Sequence, residues 1–224
     1  NSDTVKTLRY KTWDHFQYVH PRQTLSDSVT VVNVTEEDLK RYGQWPWPRH
    51  VMAMLHAKLV DNGAMLVNYN ILFAEPDRMS GTEYLKSMPM NNELREQLGK
   101  VLLDTDAVFS IVLKESKNSV LMMSVNHKES NVLPRTTPII QKGDALPWLY
   151  KYPGLVVPNS KVAAGATAIG VMVTAPEPDA VVRKMPMLIR VGDKVYPNMI
   201  LENVRILNKS KRIKVISKQH GIDE

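Results

Sequence analysis

From residue 29 onward the chain alternates between β-branched or apolar runs that suit strands and stretches whose apolar residues recur every three to four positions. Residues 29–34, Val-Thr-Val-Val-Asn-Val, predict a buried strand. Thr35 has the chemistry of a helix N-cap, and Glu36, Glu37 and Asp38 suit the positive end of a helix dipole. Gly43 can close that short helix in a left-handed conformation. Two prolines one residue apart in Trp45-Pro46-Trp47-Pro48-Arg49 exclude helix until Pro48, which suits a first helical position. Val51, Met52, Leu55 and Leu59 mark one face of the helix that follows, and Gly63 stops it.

Residues 64–73 predict a second strand, residues 92–104 an amphipathic helix with Leu94, Leu98, Val101 and Leu102 on one side, and residues 107–113 a third strand. Strands joined by helical crossovers of this length imply right-handed βαβ units and a parallel sheet. Residues 120–125 read as a strand, but Pro134, Pro138, Pro147, Pro153 and Pro158 punctuate the rest of a long connection over 114–165. The strand pattern returns at 166–173. A hairpin follows, formed by 187–191 and 194–196 about Gly192-Asp193. Pro197 and Asn198 open a short helix over 199–207, and 212–217 alternates like an edge strand. The expected fold class is α/β. A single domain over residues 1–224 carries a mixed, largely parallel β-sheet flanked by helices, with βαβ units in the N-terminal half and a hairpin in the C-terminal half.

With 224 residues, 43% of them hydrophobic, the chain can bury a sizeable core. No apolar run approaches the ~18 residues of a membrane-spanning helix, and residues 1–10 lack a signal-peptide pattern, so the chain as given reads as soluble. The absence of cysteine excludes disulfides, thiolate zinc sites and cysteine nucleophiles. The net charge is +6, yet residues 1–179 hold 19 basic and 19 acidic groups, so the whole excess lies in the last 45 residues. The basic tail around Lys209, Lys211, Arg212, Lys214 and Lys218 contains no aromatic residue. It reads as a solvated face and not as a nucleic-acid surface.

Catalytic signatures fail in turn. None of the six histidines (15, 20, 50, 56, 127 and 220) is paired at the i, i+4 spacing of a helical metal site. No nucleophile-elbow serine occurs. Gly165 to Gly170 has the span of a phosphate loop, but Val171-Met172 replaces its Lys-Ser/Thr pair. Glu75 and Asp77 flank Pro76 just past the second predicted strand, where α/β folds place ligands. An acid-Pro-acid turn there serves capping and solvation more readily than acid/base catalysis. Trp45 and Trp47 either clamp the helix that follows onto the sheet or form an aromatic wall beside Arg49, a possible anion-binding group. No catalytic residue, metal ligand or cofactor is expected.

These residues carry a resemblance. Residues 29–35, Glu37-Asp38-Leu39, Gly43-Gln-Trp-Pro-Trp-Pro-Arg49 and Ile71-Leu-Phe-Ala-Glu-Pro-Asp77 resemble the second type of cyclase/histidine kinase-associated sensory extracellular (CHASE) domain. Pro178-Asp-Ala-Val-Val-Arg183 and Tyr196-Pro197 look like that family's C-terminal half, so the likeness spans about residues 5–218. It implies a periplasmic sensory input domain excised from an inner-membrane histidine kinase or nucleotide cyclase. The flanking transmembrane helices are absent from this chain, and a homodimer is implied in the full receptor. The stimulus, a small molecule or a protein, is not implied. The chain departs from the family where an acid is usual but Asn33 and Asn70 stand, and where Ala180 replaces a glycine. Asn68 and Asn70 share a strand face, and their amides add no charge to a cation site. A ligand-binding site is expected at the C-terminal strand edges, from Trp45, Trp47, Arg49, Asn68, Asn70, Glu75 and Asp77.

Overall fold

Thr35 starts a helix as its chemistry requires. Its hydroxyl accepts from the Asp38 amide while the Asp38 carboxylate accepts from the Thr35 N–H, a reciprocal capping box. The computed structural model describes residues 3–21, 23, 28–130, 133–174, 179, 181–218 and 221–222. Backbone proximity divides the chain into two units, residues 1–45 and 46–224. The first contains α1 (Asp3–Val19), an element the sequence pattern did not suggest, and α2 (Glu36–Tyr42), closed at Gly43 with φ +91°. Val5, Leu8, Trp13 and Phe16 of α1 are exposed. Residues 29–34, expected as a buried strand, belong to no strand among the described residues, and their side chains are exposed.

The second unit opens with α3 (Arg49–Asp61), for which Pro48 is the N-cap and not the first helical residue. Its buried face is Met52, Ala53 and His56, with Leu55 and Leu59 alongside. β1 (Val67–Tyr69) is much shorter than the run of apolar residues around it. A helical excursion follows: α4 (Gly81–Ser87), α5 (Asn92–Val101) and α6 (Thr105–Ser116). The last of these corrects the strand expected over 107–113. Asp104 caps α6 by accepting the Ala107 N–H at 3.1 Å, and the fully buried Phe109 and Leu113 are spaced one helical turn apart. Ile111, which strand alternation would bury beside them, is 60% exposed.

β2 (Ser119–Asn126) is the central strand, followed by β3 (Ile139–Lys142), β4 (Tyr150–Tyr152), β5 (Gly154–Val156), α7 (Ser160–Gly165) and β6 (Ala168–Val171). β1 and β6 run parallel to β2 on either side, and β5 pairs antiparallel with its far end. β7 (Leu188–Val191) and β8 (Lys194–Pro197) form the expected hairpin, its turn carrying Gly192 at φ +58°, and β4 joins β7 in parallel. α8 (Met199–Leu207) matches the predicted range, and its N-cap Asn198 accepts the Leu201 N–H. β9 (Ile213–Lys218) is no edge strand. It lies between β3 and β10 (Gly221–Ile222) in a separate sheet. The fold is α/β with mixed sheets, three small ones in place of one. Pro178 and Ala180, quoted above for the family likeness, fall outside the described residues.

Register distributes the core over both faces of the β1–β2–β6 sheet. Tyr69 stands beside Leu121 on the face covered by α3 and α6, where Tyr69, Phe73 and Phe109 pack edge to face with centroids 5.4–5.7 Å apart. Val120, Ala168 and Met199 pack with Leu66, Met122 and Ile206 on the other, covered by α8. Gly165 has no room for a side chain, because a Cβ there would meet the Ser110 backbone of α6. That absence lets α6 and α7 approach closely.

Candidate functional site: a buried junction of helix N-termini

The loop that leaves the C-terminal end of β1 has polar backbone groups to satisfy, and three helices begin around it. Each helix start presents unpaired N–H groups and a positive dipole end. Asp77 answers the first: the Arg49 N–H of α3 donates to Asp77 Oδ2 at 2.7 Å. The Thr105 hydroxyl, at the start of α6, donates to the same oxygen at 2.6 Å, and the Met79 N–H to Oδ1 at 2.9 Å. Asp106, one residue further into α6, accepts the Asp77 N–H at 3.0 Å. Its other oxygen lies 3.4 Å from Arg49 Nε as a buried ion pair.

Arg49 spans the junction. Its guanidinium lies over the Phe73 ring, 4.6 Å from the centroid, and its Nη2 donates to the Glu75 carbonyl at 3.3 Å. Asn159, the N-cap of α7, accepts the Val162 N–H and donates its side-chain amide to that same carbonyl at 3.3 Å. The Asn159 N–H donates to the Phe73 carbonyl at 2.7 Å. Residues 73–80 are thus stitched to the starts of α3, α6 and α7 together.

Arg49, Asp77, Thr105 and Asp106 are all buried. Burial alone would push the Asp77 carboxyl upward. The Thr105 hydroxyl, the Arg49 and Met79 amides and the Arg49 charge outweigh it and hold Asp77 below the usual carboxylate range. Asp77 therefore acts as a fixed anion at the start of α3, and Asp106 ties the Asp77 backbone to Arg49, an arrangement suited to holding a backbone in place.

Of the residues named from sequence, the structure brings together Arg49, Asp77 and the backbone of Glu75. The Glu75 side chain is exposed, so the two acids of the Glu-Pro-Asp turn part company: one caps, the other faces water. Trp47 is buried two residues before Arg49, while Trp45 is half-buried at the end of the first unit. Asn68 and Asn70 are exposed and make no part of the junction. Sequence reasoning missed Thr105, Asp106 and Asn159. Asp104-Thr105-Asp106 is a helix-start signature that could have found the first two, set against the β-branched run behind it. Among the described residues no three of His, Asp and Glu come together to hold a metal ion.

A second buried polar chain lies across α3, β1 and α6. The fully buried His56 has Nδ1 2.9 Å from the Tyr69 hydroxyl and Nε2 2.7 Å from Ser116 Oγ. Ser116 donates its own proton to the Leu113 carbonyl at 3.0 Å. The chain is then satisfied by one tautomer, in which Tyr69 O–H donates to Nδ1 and Nε2–H donates to Ser116. Burial holds the imidazole below its ordinary range, partly offset by the Asn118 side chain, so it is neutral in the folded protein.

Among the described residues no helix is long and apolar enough to cross a membrane. No curated protein and no solved structure matches the chain. The profile of the CHASE2 domain matches residues 1–222, essentially the whole chain. CHASE2 domains are extracellular sensory modules of cyclase and kinase receptors, non-catalytic themselves. With that match end to end, the chain belongs to the CHASE2 domain family.

Proposed function

We propose that this chain is the periplasmic input domain of a bacterial transmembrane histidine kinase or nucleotide cyclase. It senses a small molecule or a protein and passes a change of shape to flanking membrane helices. The end-to-end CHASE2 match carries this reading. The junction at Arg49 and Asp77 supplies a physical route. It fixes the point at which the chain enters α3, and it ties that point to the sheet and to α6 and α7 through charged hydrogen bonds. Such a node has little give, because breaking one buried charged contact leaves its partner unpaired. A stimulus shifts the receptor by binding one arrangement more tightly than another. Asn68, Asn70 and Glu75, exposed on β1 and the loop that leaves it, are the side chains offered for such contact, and Trp47 is buried two residues before Arg49.

The exposed apolar residues of α1 favour a second reading, a constitutive dimerisation or interaction module without a small-molecule ligand. Both readings place the domain outside the cytoplasm. Protease added to spheroplasts that make the intact parent protein tests that placement. The expected result is digestion of this domain while cytoplasmic proteins stay whole. Protection until the membrane is broken would overturn it.

A further inference from the structure

His56 lies about two helical turns beyond Arg49 on α3, and both are buried. Its ring stacks on Tyr69, with centroids 5.9 Å apart and planes at 24°. Tyr69 in turn meets Phe73, the ring that carries the Arg49 guanidinium. One helix is thus held at two points. Asp77 holds its start, and Tyr69 of β1 and Ser116 of α6 hold it further along, through His56.

The second hold fits only a neutral imidazole. A proton taken from solvent goes onto Nδ1, whose lone pair accepts the Tyr69 O–H, so two donors then face each other. The buried Tyr69 hydroxyl makes no other hydrogen bond among the described residues, and its proton has no second acceptor there. Asn118 offsets the cost of the charge only in part. Its Nδ2 donates to the Ala64 carbonyl at 3.0 Å, and its buried Oδ1 has no hydrogen-bond partner among the described residues. The elements around the ring supply no buried counter-ion. β1 carries no charged residue, His50, Lys58 and Asp61 of α3 and Lys114, Glu115 and Lys117 about the end of α6 are exposed, and Arg49 and Asp106 are paired with each other.

An arrangement in which α3 parts from Tyr69 and Ser116 gives the imidazolium water, and it takes the proton near the ordinary histidine value of about 6.5. The closed arrangement resists that proton. A ligand moves a conformational equilibrium only by binding its two members unequally, and the proton meets that condition at His56. We propose that the proton is a stimulus of this domain and that His56 receives it. Charging the ring releases α3 from β1 and α6 while the Arg49–Asp77 contact still holds the start of the helix. The proposal rests on the sensory reading and names its ligand.

Amide hydrogen exchange of the chain between about pH 7 and pH 5, corrected for the intrinsic pH dependence of exchange, reads the release. The amides of α3 are expected to open more often by about tenfold for each pH unit below about 6.5, while those of α8 do not change. His56→Gln is expected to abolish the acceleration. Asn118→Asp is expected to abolish it for a different reason: a carboxylate lets the closed arrangement hold the charged ring, so the His56 ring signal in NMR titrates at higher pH while α3 stays closed. The proposal is overturned if α3 does not accelerate, if it accelerates equally in both variants, or if α8 accelerates with it as in global unfolding. In cells carrying the intact receptor, output is expected to change several-fold as the medium is acidified and to stay level in both variants. A receptor indifferent to the pH of the medium overturns the proton as stimulus and leaves the sensory reading standing, whereas protection of the domain from external protease is what defeats that reading.

Discussion

The Arg49 amide and the Asp77 carboxylate meet at 2.7 Å across 28 positions of sequence, joining the first turn of α3 to the turn that leaves β1. The contact does two jobs, because the carboxylate that caps the helix also collects the Thr105 hydroxyl and the Met79 amide. Asp77→Ala is expected to cost about 3 kcal/mol, as two buried donors and a partly buried one lose their acceptor. Asp77→Asn is expected to cost less, since it keeps the shape and one acceptor oxygen. Urea unfolding of the isolated chain measures both. A change below about 0.5 kcal/mol for the alanine variant, the size expected of a surface change, would remove Asp77 from the architecture.

His56 gives the protein a pH signature in a separate window. Its folded-state pKa is depressed, so between about pH 6.5 and the lower folded value the unfolded chain binds a proton that the folded chain does not. Stability is therefore full above that window and declines as pH falls through it. His56→Gln, which can hydrogen-bond but not titrate, is expected to flatten the decline between about pH 7 and 5. Superimposable stability–pH curves would contradict the assignment. Asp77 acts at lower pH: its depressed pKa gives stability present above the ordinary carboxylate value of about 3.9 and lost below it.

The helical state of 105–116 separates two neighbouring substitutions. Phe109→Ala is expected to cost about 3–5 kcal/mol, because the ring is fully buried against Tyr69 and Phe73. Ile111→Lys is expected to be nearly neutral, within about 0.5 kcal/mol, because the side chain points to solvent. A strand would bury both on one face, and comparable losses from the two would restore it.

Gly165→Ala is expected to destabilise by about 1–3 kcal/mol. The new methyl group meets the Ser110 backbone, which cannot swing aside as a long side chain would. Thermal unfolding measures it, and an unchanged melting temperature would mean that α6 and α7 part without cost.

Local chemistry was the legible part of this sequence. The Thr35 capping box, the Gly192-Asp193 hairpin and the whole of α8 follow from residues within a few positions of one another. Where two periods competed, the β-branched content of 107–113 misled. Val108, Ile111 and Val112 favour strands in isolation, but the Asp104 cap and the Phe109–Leu113 spacing decide for a helix once tertiary burial is counted. The run 29–34 shows the reverse case, strand chemistry in residues that belong to no strand among those described. Arg49, Glu75 and Asp77 could be singled out from the Trp-Pro-Trp-Pro-Arg and Glu-Pro-Asp strings. Asp106 and Asn159, 29 and 82 positions beyond Asp77, belong to no shared motif, and only the fold brings them to the same loop.

The central claim is that this domain reports a stimulus through the Arg49–Asp77 junction. The most direct test is the product-forming rate of the intact receptor in membranes, compared among the unsubstituted protein, Asp77→Asn and Ile111→Lys at matched protein levels. The expected result is a several-fold change in basal output for Asp77→Asn, with Ile111→Lys unchanged. An Asp77→Asn receptor whose isolated domain still unfolds cooperatively, and whose output equals that of the unsubstituted protein, would contradict it.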